Sequence, residues 1–227
     1  MEIIDLKDGY YLKPFKHNWG QEAKLTKFKK VQGVGISDAN YVVQPKIGEK
    51  QICCPYYAKW LSMLKRCYSS KYQKNQPTYK DCTVCDEWLT FSNFKRWMET
   101  QDWEGKDLDK DLLIYRNKIY SSFTCCFISK KLNAFLLTAK ARRGSHPLGV
   151  DKLKGKYRTS THYNGHQIHL GYFAAAEEAH RAWQKAKAAL AFDLALDQTD
   201  ERIKQGLMRV YEKILSDYEQ DLETVDF

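Results

Sequence analysis

Three side chains near the middle of the chain have the chemistry of a hard-cation site: Asp109, Asp111 and Asn133, in the stretch DLDKDLLIYRNKIYSSFTCCFISKKLN that runs from Asp107 to Asn133. Two carboxylates and an amide oxygen are the donors that Mg²⁺ or Mn²⁺ prefers. By pattern, residues 108–113 form a short strand, Asn117-Lys118 lies in a turn, residues 124–128 form a second extended run, and residues 129–137 start a helix. Strand side chains alternate faces, so Asp109 and Asp111 share one side and Lys110 takes the other. A helix crossing beneath this hairpin would bring Asn133 toward the carboxylate pair. The same spacing also describes a solvated acidic strand edge with Asn133 on a helix surface, because D-x-D is common.

Cys82-Thr-Val-Cys85 is half of a zinc site that needs two more ligands. Cys125-Cys126 makes a poor second half, since neighbours on a strand point to opposite faces. Buried, inert thiols are the alternative. Seven cysteines, an odd number with two adjacent pairs, are a poor disulfide framework and suit a reducing cytosol. No run of 18 apolar residues and no signal-peptide pattern is present, so a cytoplasmic protein without a membrane partner is expected.

The elements that must hold such a site come from a chain of 227 residues, enough for one large or two small domains with a real core. Lys and Arg number 37 against 28 Asp and Glu, a formal +9. The segment 198–227 holds eight acidic and four basic residues, a net of −4, which leaves +13 on residues 1–197. That balance draws polyanions, nucleic acid first among them and an acidic membrane second, the latter without a basic amphipathic or lipidation signal to support it. Residues 1–54 read as a β-rich arm whose lone Gly33-Val-Gly35 lacks the third glycine of a dinucleotide loop. Pro55 opens a helix with Tyr57, Trp60, Leu61, Leu64 and Tyr68 on one face and Lys59, Lys65 and Arg66 on the other. Trp88, Phe91, Phe94, Trp97 and Met98 form a second helical set; rings at that period indicate core, with base stacking the alternative.

Residues 139–147, AKARRGSHP, are basic and turn-prone and mark a boundary, with Arg142 and Arg143 available to phosphates. Beyond it, residues 156–163 alternate as a strand, Asn164-Gly165 signals a hairpin, and residues 166–173 return as its partner. An alanine-rich helix over 174–196 would cover the side bearing Tyr157, Thr159, Thr161, Ile168 and Leu170. Arg158, Ser160, His162, Gln167 and His169 then face outward, a polar surface without a carboxylate, bordered by Lys152, Lys154 and Lys156. An ordinary solvated sheet face is the other description. The acidic tail carries Ile203, Leu207, Val210, Ile214 and Tyr218 at helical steps, for packing on its own domain or for a homodimer.

Residues 149–195, through Gly149-Val150, Gly155-Lys-Tyr-Arg158, Asn164-Gly165, His169-Leu-Gly-Tyr-Phe173 and Ala176-Glu-Glu-Ala179, resemble the Apetala-two/ethylene-response-factor DNA-binding domain. That family reads the major groove with a three-stranded sheet backed by a helix; where its reading face has arginines and tryptophan, this chain has His162, Gln167 and His169. The front part is similar to phage-encoded HNH endonucleases carrying the same reader. The motifs are Gly33-Val-Gly-Ile36, Met63-Leu-Lys-Arg-Cys-Tyr68, Pro77-Thr-Tyr79, Cys85-Asp-Glu-Trp-Leu-Thr-Phe91 and Leu108-Asp-Lys-Asp-Leu-Leu113.

The resemblance spans residues 30–215 and implies a ββα-metal hairpin with Asp109 and Asn133 on one divalent ion, Asn117 in the loop, and Lys110 where the family has its general-base histidine. It also lacks the Pro-Glu usual in Tyr120-Ser-Ser-Phe-Thr-Cys125, which admits a non-cutting version; His146 is another candidate base. The expected fold is therefore α+β: a β-rich arm (1–54), an HNH-like hairpin–helix module on a helical scaffold (55–140), a three-stranded antiparallel sheet packed on one helix (146–197), and an acidic C-terminal helix (198–227). The expected function is a sequence-directed, Mg²⁺- or Mn²⁺-dependent DNA endonuclease, or a catalytically degenerate DNA-binding regulator.

Overall fold

The computed structural model describes residues 3–6, 9–15, 24–138, 146–163 and 166–227. In chain order they form strands β1 (Ile4–Leu6), β2 (Tyr10–Phe15), β3 (Lys24–Lys29), β4 (Lys46–Ile47) and β5 (Lys50–Gln51), then helices α1 (Pro55–Tyr68) and α2 (Ser70–Asn75). Next come β6 (Thr83–Val84), α3 (Phe91–Glu99), β7 (Lys106–Asp109), β8 (Ile119–Tyr120), β9 (Cys126–Ser129) and α4 (Lys130–Leu136). The chain then forms β10 (Val150–Leu153), β11 (Lys156–Tyr163), β12 (His166–Phe173), α5 (Ala176–Leu196) and α6 (Glu201–Glu219). The class is α+β, with the expected three-stranded antiparallel sheet, in order β10-β11-β12, followed by helices. No helix among the described residues is long and apolar enough to cross a membrane.

Contacts sort the chain into two units, Met1–Trp103 with Asn117–Cys125, and Glu104–Arg116 with Cys126–Phe227. The segment 55–140 is thus divided between them. In the first unit, β1, β2 and β3 form a small antiparallel sheet. Pro55 sits in the first turn of α1, where its missing N–H costs nothing. The buried side of α1 is Tyr57, Trp60, Met63, Leu64 and Cys67, so Leu61 and Tyr68 fall at its margins. Trp88, Phe91, Phe94 and Met98 complete this core, and the Trp60 indole N–H donates to the Trp88 carbonyl at 2.7 Å. These rings are packed, each contributing about 1.5–3 kcal/mol of burial, and offer no faces for bases. Arg66, expected on a free surface, lies over the Tyr79 ring and donates to the Tyr120 hydroxyl at 3.5 Å.

In the second unit, β7 and β9 pair antiparallel, with Asp107 opposite Ile128 and Asp109 opposite Cys126. Ser129 accepts the Leu132 N–H at 3.1 Å and so caps α4 directly after the strand. The apolar side of the hairpin, Cys126 and Ile128, shares one core with Leu132 and Phe135 of α4, Ala188, Ala191 and Ala195 of α5, and Ile203, Leu207, Val210 and Ile214 of α6. Ile203, Leu207, Val210 and Ile214 of the tail stripe are therefore buried within their own unit, and Tyr218 is half-buried outside that core. The helical spacing of Ala179, Ala182, Trp183, Ala186 and Leu190 predicts one apolar stripe on α5, but this helix is covered on two sides, by the sheet and by α6. Its buried set is therefore Ala179, His180, Trp183, Gln184, Lys187, Ala188, Ala191 and Ala195, while Ala182, Ala186 and Leu190 are half-buried.

Candidate metal and nucleic-acid site

Asp109 ends β7, and its Oδ1 accepts the N–H groups of Asp111 at 3.0 Å and Leu112 at 2.7 Å. An aspartate that bonds the backbone two and three residues on mimics a turn and pulls the chain off the strand. The strand expected to continue to Leu113 stops there for that reason, and alternation no longer places Asp111 beside Asp109. Asp111 is instead exposed and ion-pairs with the buried Lys110 ammonium at 2.5 Å. That ammonium acts as a donor, the opposite of what a general base must do.

Helix α4 does bring Asn133 to the hairpin. Its Nδ2 donates to Asp107 Oδ2 at 3.2 Å, so the first carboxylate it meets is one that spacing did not single out. Asp109, Asp111 and Asn133 nonetheless line one cleft of about 120 Å³, together with Leu112, Arg209 and Phe227. Burial pushes the Asp109 carboxyl above its ordinary range, the Leu112 N–H holds it back, and the Asp111 charge adds to the rise. Asp109 Oδ2 and Asn133 Oδ1 accept no hydrogen bond among the described residues. Two hard oxygens left over at a partly desolvated cleft fit a hard divalent cation. No group of three or more His, Cys, Asp or Glu side chains is gathered for a metal among the described residues, so an amide is needed to complete this donor set.

Arg209 is a residue that sequence reading missed. It reaches from α6 to donate to the carbonyls of Leu113, at 3.0 Å, and Leu112, and thereby holds the turn that Asp109 starts. Helical spacing does not single it out: it is one of several basic residues on α6 and lies off the apolar stripe of Ile203, Leu207, Val210 and Ile214. Asn117 belongs to the first unit, where its amide closes on the backbone of Ile119, with Nδ2 donating at 2.7 Å and Oδ1 accepting at 3.0 Å. Cys82 is buried and Cys85 half-buried with its thiol pushed up by burial, the setting of unreactive thiols. His146 stands edge-on to Tyr157 at 5.8 Å.

On the sheet, Thr159 and Thr161 are buried toward α5, while Ser160 opposes His169 and His162 opposes Gln167 on the outer face. Gln167 Nε2 donates to Ser160 Oγ at 2.8 Å. Two features depart from strict alternation. A bulge between Thr159 and Ser160 shifts the phase of β12, so that Tyr172 pairs with Arg158 and joins the outer face, exposed and 4.8 Å from the His169 ring. Gly171, at φ +137°, supplies the backbone freedom at that point. The outer face also carries a carboxylate, contrary to expectation: Asp151 on β10 opposes Arg158 and pairs with it at 3.0 Å. The three bordering lysines are exposed but do not form one row, because Lys152 lies over Tyr157 on the helix side, Lys154 is in the turn, and Lys156 is on the outer face. Arg142, Arg143 and the Asn164-Gly165 turn lie outside the described residues.

No protein-family model, curated protein or solved structure matches this chain.

Proposed function

We propose that this protein is a metal-dependent DNA endonuclease of the HNH, ββα-metal kind, with duplex DNA read by a C-terminal sheet of the Apetala-two/ethylene-response-factor kind. The observation that carries the reading is the placement of Asp109 and Asn133 on one cleft of an antiparallel hairpin backed by a helix, in the same unit as a three-stranded sheet with a polar outer face.

Asp109 and Asn133, with Asp111 at the rim, would hold Mg²⁺ or Mn²⁺. Such an ion, when bound, polarises a phosphodiester and stabilises the leaving 3′-oxygen. The chain's own part is positioning. Arg209 and the Asp109 turn fix the loop, Asp107 orients the Asn133 amide, and Ser160, His162, Gln167, His169 and Tyr172 present groups to base edges while Lys156 meets phosphate. One hairpin cuts one strand; a double-strand cut takes two copies.

A second reading, a DNA-binding regulator that does not cut, is favoured by one specific contact, the Lys110–Asp111 ion pair at the position where a base is needed. Incubating supercoiled plasmid with the protein and Mg²⁺ or Mn²⁺ separates the two. Relaxed circles support the nuclease; retarded but intact supercoils support the regulator. Duplex DNA bound no better than RNA in salt-matched competition contradicts both.

A further inference from the structure

The loop that follows the candidate metal strand ends in Tyr115 and Arg116, and both side chains converge on one carboxylate. Arg116 Nη2 donates to Asp226 Oδ2 at 2.8 Å, and the Tyr115 hydroxyl donates to Asp226 Oδ1. Arg116 is largely exposed, 69% on its side chain, and holds a left-handed φ of +55°, a conformation non-glycine residues seldom keep without a compensating contact. A planar guanidinium and a phenol aimed at two oxygens of one acid form a seat for an oxyanion, and a phosphodiester presents the same two-oxygen edge.

The carboxylate is delivered by an anchored strap. Thr224 is fully buried: its N–H donates to His180 Nε2 at 3.1 Å, its hydroxyl donates to Asp217 Oδ2 at 2.9 Å, and Gln184 donates to it at 2.9 Å. Two residues beyond that anchor Asp226 meets the seat, and Phe227 lines the cleft that holds Asp109 and Asn133. The strap thus sets an acidic side chain on the Arg116 cation and lines the candidate metal cleft with the next residue.

We propose that Tyr115 and Arg116 form a phosphate-binding seat beside the candidate metal cleft, and that Asp226 occupies it as an intrachain competitor that a nucleic-acid phosphate must displace. This rests on the DNA reading for the identity of the phosphate, not for the existence of the seat. An exposed ion pair is weak and screened by salt, so a phosphate backbone that brings many charges can displace it, and the competition costs binding only roughly two- to fivefold.

The test uses the full chain, with a duplex DNA fragment and inorganic polyphosphate as separate probes, followed by fluorescence anisotropy at fixed low salt. Asp226→Asn should tighten both about two- to fivefold. Glu223→Gln, which removes the same charge from an exposed neighbour, should change them less. In an Arg116→Ala background the Asp226→Asn gain should vanish, and Arg116→Ala alone should weaken binding. Equal gains from Asp226→Asn and Glu223→Gln, or a gain that survives Arg116→Ala, would overturn the seat. If no variant binds duplex DNA, the DNA reading fails on its own, and the polyphosphate pattern still decides the seat in either direction.

Discussion

Asn133 Nδ2 donates to Asp107 Oδ2 at 3.2 Å, a bond from helix α4 back to strand β7 that turns the amide oxygen away from Asp107. Side chains that orient a metal ligand matter nearly as much as the ligand, with losses of roughly 10–100-fold in metal affinity when they are removed. Asp107→Ala should therefore raise the Mn²⁺ concentration for half-maximal nicking by about that factor and leave DNA affinity unchanged. A metal titration of the nicking rate checks it.

The turn that presents Asp109 is pressed against α6. A Cβ on Gly206 would stand 2.6 Å from the Leu112 carbonyl oxygen and 2.9 Å from its Cγ, so Gly206→Ala must push the loop or the helix. Such overpacking costs about 1–3 kcal/mol. The thermal midpoint should fall, and nicking should fall further than DNA binding, because Asp109 is displaced while the sheet is not.

Lys187 is buried, donates to the Phe135 carbonyl at 2.5 Å, and has the rings of Phe135, Trp183 and Phe227 within 6 Å but no carboxylate partner among the described residues. The rings favour the ammonium; burial outweighs them and pushes the group down to about 7. The unfolded chain keeps an ordinary lysine near 10.4, so between those pH values it binds one more proton than the folded chain. Stability from this site therefore rises with pH from about 7 to about 10 and is least below 7, by a few kcal/mol in order of magnitude. Urea midpoints at pH 6 and pH 9 should diverge in the wild type, and Lys187→Met should reduce that divergence.

On the sheet, Lys156→Ala should weaken binding to all sequences alike and reduce the slope of log K against log salt by about 1. Gln167→Ala, which removes a group that can read a base edge, should relax preference at one position by about 1–3 kcal/mol with little change in salt slope. Equilibrium binding to a randomised duplex library at two salt concentrations distinguishes the two effects.

Local signals carried much of the fold. Pro55 at a helix start and the alternation of residues 156–163 are chemistry written within a few residues, and each formed where expected, while the helix read from residue 129 starts one residue later with Ser129 as its cap. What spacing could not show was set by side chains acting on backbone or by distant elements. Asp109 bends its own strand, which moves Asp111 and buries Lys110. A bulge that one extra residue creates rotates Tyr172 onto the reading face. Arg209 enters the cleft from about a hundred residues away, through a helix that the sequence marked as amphipathic but could not dock, and Phe227 enters it from the segment that follows that helix.

The central claim is that Asp109 and Asn133 hold a metal at a phosphodiester-cutting site, and the most direct measurement is supercoiled-plasmid nicking by Asp109→Ala in Mg²⁺ and Mn²⁺, with DNA affinity measured on the same preparation. Nicking should vanish while affinity stays within about twofold of the wild type. Undiminished cutting by Asp109→Ala would contradict the assignment.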